Sequence, residues 1–96
     1  MNLDEFYHAT AGLNPNLTIL IAEKKHFLPV TQLLITDHTI HFQTKRESEV
    51  PSPSHLNLDQ FLTRVKDMPL NYDLRIYQTQ KIVFGFRIVG NTLVLY

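Results

Sequence analysis

The segment Asn2-Leu3-Asp4-Glu5-Phe6 returns 55 residues later as Asn57-Leu58-Asp59-Gln60-Phe61, identical at four of five positions. No other feature constrains the fold as tightly. Each copy spells a helix start. The Asn side chain can accept from a free N–H of the first turn, and Glu5 or Gln60 can return a bond to the Asn backbone. Asp4 and Asp59 sit where the positive end of the helix dipole favours a carboxylate. The pattern predicts helices over about 2–12 and 57–68, stopped by Gly12 with Asn14-Pro15 and by Pro69.

Strand-like text follows each helix. Leu17–Ala22, Val30–Thr36 and Thr39–Thr44 come after the first; Tyr72–Gln78, Lys81–Val89 and Thr92–Tyr96 come after the second. Ile19 and Ile21 match Leu74 and Ile76 at the same offset of 55, and Ile35–Ile40 matches Ile88–Leu93 at an offset of 53. Only one strand connection need shorten, and connections tolerate length changes. Gly90-Asn91 suits a two-residue hairpin turn, and Asp37-His38 occupies the same place.

The expectation is an α+β fold. It would hold two pseudo-symmetric αβββ units, with antiparallel sheet or sheets and helices packed on one face. Residues 1–96 form one domain in this reading: unit 1 at 1–44, a polar linker at 45–55 with Pro51 and Pro53, and unit 2 at 56–96. Units of roughly 40–45 residues are marginal alone, so the two are expected to share a core.

Composition narrows the class. With 44% apolar and 19% charged residues the chain is too apolar for disorder and ordinary for a globular domain. The absence of Cys removes disulfides, thiolate metal sites and cysteine nucleophiles, and fits a cytoplasmic location. No apolar run approaches the ~20 residues of a membrane helix, and Met1–Glu5 is acidic, unlike a targeting peptide. Nine basic residues against nine acidic ones disfavour nucleic-acid binding. The balance is uneven along the chain. Residues 1–49 hold four basic and six acidic groups, and residues 50–96 hold five and three.

Alternation along the strands assigns two faces. The inner face should collect Ile19, Ile21, Leu33, Ile35, Ile40 and Phe42 in the first unit. In the second it should collect Leu74, Ile76, Phe84, Phe86, Ile88, Leu93 and Leu95. Leu3, Phe6, Leu58, Phe61, Leu62 and Val65 of the helices would cover it. The outer face of unit 2 then carries Arg75, Tyr77, Val83, Arg87, Val89, Val94 and Tyr96. Its apolar, aromatic and Arg-bearing character matches a partner-binding surface. The alternative is that the sheet curls and this face packs internally. Gly85 lies mid-strand there, where a bulge or the close approach of another group is possible. The last strand, ending at Tyr96, could offer an edge to another chain.

Chemistry-bearing motifs are sparse. His38-x-x-His41 places its two rings on opposite faces of a strand, which is no chelate. Ser48, Ser52 and Ser54 lie in the linker, and three glycines make no phosphate loop. The basic clusters Lys24-Lys25-His26 and Lys45-Arg46, with Phe27, Phe42 and Tyr77, lack the signature of an RNA-stacking sheet. No catalytic residue, metal or cofactor is assigned. The leading expectation is a small non-enzymatic interaction or regulatory module that binds a protein partner or itself through a strand face or edge. The alternatives are a nucleic-acid or small-ligand binding domain, and an enzyme with a site between the units that uses Asp37, His38 and His41.

Overall fold

The computed structural model describes residues 1–44 and 55–96. Residues 45–54, which hold most of the expected linker and the Lys45-Arg46 pair, lie outside the described residues. The chain runs α1 (Leu3–Thr10), β1 (Thr18–Glu23), β2 (His26–Thr36), β3 (Thr39–Thr44), α2 (Leu58–Val65), β4 (Asp73–Ile76), β5 (Phe86–Val89) and β6 (Thr92–Leu95). It is an α+β fold with one mixed six-stranded sheet in the order β4-β3-β2-β1-β6-β5.

Both helix starts form as the sequence predicts. Asn2 accepts from the Glu5 N–H and Glu5 returns a bond to the Asn2 N–H, both at 2.9 Å. Asn57 and Gln60 do the same at 2.8 and 3.0 Å. Gly12, at φ 83, follows α1 in the left-handed region that glycine enters without strain. Each helix start is bonded to the chain leading into a strand of the other half. Leu3 N–H donates to Tyr72 O and Leu58 N–H to Leu17 O, both at 2.9 Å. Asp4 N–H donates to Leu70 O at 3.0 Å and Asp59 N–H to Pro15 O at 2.9 Å. Leu74 N–H reaches Met1 O at 3.0 Å and Ile19 N–H reaches Leu56 O at 2.9 Å.

The expectation of antiparallel pairing needs correction. β3 pairs with β4 in parallel, and so does β1 with β6. The connection from β3 to β4 contains α2, and a helix-bearing crossover returns the chain to the end of the sheet it left. Alternation of side chains is the same in either direction, so the residues alone do not distinguish them. The edge role of the last strand is also corrected: β6 lies between β1 and β5 and is paired on both sides.

Two stretches change partner partway. β2 pairs with β1 through His26–Pro29 and with β3 through Val30–Thr36, with a register shift between Val30 and Gln32. Residues 81–89, expected as one strand, behave alike. Ile82 bridges Arg75 of β4, with Val83 N–H donating to Leu74 O at 2.9 Å. The chain then turns to β6. Phe84 N–H and Gly85 N–H both point at Tyr96 O, at 2.8 and 3.4 Å, which is a bulge. This segment ties the two ends of the strand order together, so the sheet closes on itself.

The enclosed core holds Ile19, Ile21, Ile40, Phe42, Leu74, Ile76, Leu93 and Leu95 of the sheet with Leu3, Phe6, Leu58, Phe61 and Val65 of the helices. Phe61 is its centre. Its ring stacks on Phe42 at 5.0 Å and meets Phe6 edge-on at 5.1 Å, so residues of both halves share one ring cluster. A buried Phe truncated to Ala typically costs about 3–5 kcal/mol, several times the worth of a cap.

Because both caps close both bonds, Asn2→Ala and Asn57→Ala should each lower stability by about 1 kcal/mol in urea unfolding. A cost near zero for either would show that its helix start is held by the strand contacts alone.

Candidate functional site

The outer face of the second half was expected to present seven residues. Arg75 is half-buried; Tyr77, Arg87, Val89 and Tyr96 are exposed. Val83 and Val94 are not available. Val83 is in the core because the bulge at Phe84-Gly85 shifts the alternation by one residue. The same shift turns Phe84, expected inside, to solvent, where it is 74% exposed. Val30 is buried in the first half for the same reason. Val94 is buried mid-sheet, in register between Leu20 of β1 and Arg87 of β5. Ile35 and Ile88, also expected inside, are 40% and 44% exposed beside the hairpin tips.

Gly85 explains the position of Tyr96. A Cβ at residue 85 would stand 3.1 Å from the Tyr96 hydroxyl and 3.3 Å from its Cζ, so the ring lies across the bare glycine backbone. The other register shift, between Val30 and Gln32 of β2, carries Thr31, Gln32 and Gln43 where this one carries Phe84, Gly85 and Tyr96. There the bulge is held by polar groups. Thr31 Oγ1 donates to Gln43 O at 3.4 Å, and Gln32 Nε2 donates to Gln43 Oε1. The backbone geometry therefore does not require aromatic side chains at this point.

Phe84 and Tyr96 line a cleft of about 430 Å³ at the seam where residues 81–85 pass from β4 to β6. Its apolar walls include Ile21, Ile76 and Ile82. Lys24, Lys81, Glu23 and Thr79 supply its polar groups. Lys24 is in the tight β1–β2 turn at φ 53. Among the described residues, no carboxylate lies within 4.0 Å of either ammonium. Alternation carried straight through Gly85 hid this cleft. The signal that could have exposed it was the glycine itself, paired with a large ring in the neighbouring strand.

A second polar group lies on the outer face near β4. His41 is buried, at 6% exposed, with Nε2 3.0 Å from Thr36 Oγ1 and its ring edge-on to Tyr77 at 6.1 Å. Nδ1 is buried without a partner. A bare lone pair costs less there than an unsatisfied N–H, which favours the tautomer with Nε2–H donating to Thr36. Asp37 and His38 stand elsewhere, at the exposed β2–β3 tip, with the His38 ring 5.7 Å from Tyr72. Among the described residues no group of three His, Asp or Glu could hold a metal ion. Phe42, one of the rings weighed for base stacking, is fully buried. No helix among the described residues is long and apolar enough to cross a membrane.

Burial, and after it the Arg75 guanidinium, lowers the His41 pKa below its ordinary 6.5. Below that pH the unfolded chain takes up a proton that the folded chain resists, so stability falls as pH drops. The urea midpoint should therefore decrease between pH 7.5 and pH 5, and His41→Val should decrease less. Equal slopes for the two proteins would remove His41 from the pH response.

Comparison with known protein families, with characterised proteins and with solved structures finds no match for this chain.

Proposed function

We propose that the chain is a small non-enzymatic interaction module that binds a protein partner, or a second copy of itself, through the outer strand face of its second half. The observation that carries this reading is Phe84, a large apolar ring that is 74% exposed on a strand bulge. It adjoins Tyr96 and Ile82, and Ile82 bridges Arg75. Exposed aromatic side chains beside an Arg are the usual material of interface anchors. The second half also carries the basic excess, which suits an acidic partner surface. A cysteine-free chain fits a reducing cytoplasmic setting.

A small-ligand reading draws on the cleft. An enzymatic reading draws less support, because His38 is exposed against Tyr72 while His41 is buried against Thr36 and Tyr77.

We further propose that the fold is an αβββ unit present twice. What supports this is the correspondence of contacts. The strand pairs Thr18–Thr92 through Ile21–Leu95 correspond to Asp73–Thr39 through Ile76–Phe42 at offsets of 55 and 53. The two caps, the bonds from each helix start to the opposite half and the two bulges correspond at the same offsets. Met1 N donates to Val83 O, and Tyr96 N–H donates to Gly85 O, so residues 1 and 96 attach two residues apart. A circular permutant that joins residue 96 to residue 1 and opens between residues 44 and 55 should keep the native fold, read from its amide NMR spectrum. A spectrum of an unfolded chain would count against interchangeable halves.

For the interaction reading, Phe84→Asp and Tyr77→Asp should weaken self-association or partner capture at least about tenfold, or about 1.4 kcal/mol. Leu34→Asp, on an exposed position of the first half, should not. Equal behaviour of all three variants would place the binding surface elsewhere.

A further inference from the structure

We infer that the cleft between the β1–β2 turn and the 81–85 segment is a binding site for a small anionic amphiphile, an aliphatic or aryl monocarboxylate. This does not rest on the protein-partner reading. The cleft's volume of about 430 Å³ falls in the range of small-molecule sites, roughly 300–1,000 Å³. Its walls are suited to a hydrocarbon body: Ile21 and Ile76 at the base, with Ile82 and Phe84 at the side. Such sites pair apolar walls with a few placed polar groups.

Charge complementarity selects the head group. Lys24 and Lys81 both line the cleft, and no carboxylate of the described residues lies within 4.0 Å of either. Lys24 extends from a two-residue turn closed by the Glu23–His26 pair, so its backbone is held in place. Glu23 lines the same cleft and offsets part of their charge. Two lysines beside a glutamate suit a monoanion better than a phosphate dianion. The Thr79 and Tyr96 side chains add hydroxyls that can donate to a carboxylate oxygen.

The aromatic side chains point the same way. Thr31 and Gln43 stand at the register shift of the first half and hold it by hydrogen bonds. Phe84 and Tyr96 are thus surplus to the backbone geometry, and they stand where an apolar ligand would lie.

The test uses the full chain and monomeric decanoate, followed by methyl NMR and by displacement of the fluorescent probe anilinonaphthalene sulfonate. Decanoate should bind and shift the methyl signals of Ile21, Ile76 and Ile82. Decanol and decyltrimethylammonium should bind at least about tenfold more weakly. Lys24→Met with Lys81→Met should remove the preference for decanoate over decanol while leaving the thermal midpoint unchanged. Equal binding of the three probes, or shifts spread outside the cleft, would overturn the proposal. So would attachment to phosphatidylglycerol vesicles without binding of free decanoate, which would assign these residues to a membrane surface. Val89→Asp lies outside the cleft, so loss of protein capture in that variant with decanoate binding retained would separate this site from the partner surface.

Discussion

The structure depends on two strands that change partner partway along. β2 leaves β1 for β3 near Val30, and residues 81–89 leave β4 for β6 near Gly85. Without these transfers β1 would not be linked to β3, nor β4 to β6. With them, and with the parallel pairs β1–β6 and β3–β4 that join the halves, the sheet encloses its core. A bulge is the local device, since it bends the strand and raises its twist. Val30 and Val83 enter the core at these points, with 0% exposure each, and anchor the bends.

Much of this was legible in the residues. The two Asn-Leu-Asp-x-Phe segments specify helix starts through side-chain chemistry that acts within four residues, and both formed as read. Turns at Gly90 and His38 were likewise local, with φ values of 58 and 62. What the residues did not disclose was nonlocal or parity-dependent. Parallel pairing of β3 with β4 leaves no mark on alternation. The bulges do leave one, but only as a change of phase between Val83 and Phe86, which a straight reading through Gly85 smooths away. Hence Phe84 was assigned inside and Val83 outside, and each is found on the opposite side. Alternation assigns Val94 to the outer face, and its burial there depends on flanking strands that no local pattern names.

The candidate site arises from the same phase change. The first half fills its bulge with Thr31, Gln32 and Gln43, which bond to one another. The bulge of the second half holds an exposed Phe, a bare glycine and a Tyr ring laid across it. Apolar side chains gain nothing from solvent, roughly 25 cal/mol for each Å² left uncovered, so their exposure at one of the two bulges is the difference most open to a functional reading. Lys24 and Lys81 line the cleft beside that position.

The bonds from each helix start to the opposite half set an order of events during synthesis. Leu3 and Asp4 dock on Tyr72 and Leu70, and Met1 on Val83. None of these partners exists until most of the chain has left the ribosome. The first half therefore emerges with Phe6 and the inner residues of β1 to β3 uncovered, waiting for their counterpart. Long-range closure of this kind slows folding, because loop entropy is lost before contacts reward it. A nascent chain in that state exposes strand edges and apolar side chains together, the condition in which chains associate wrongly. The interlocked topology that gives the mature protein one core thus postpones that core until both halves are present.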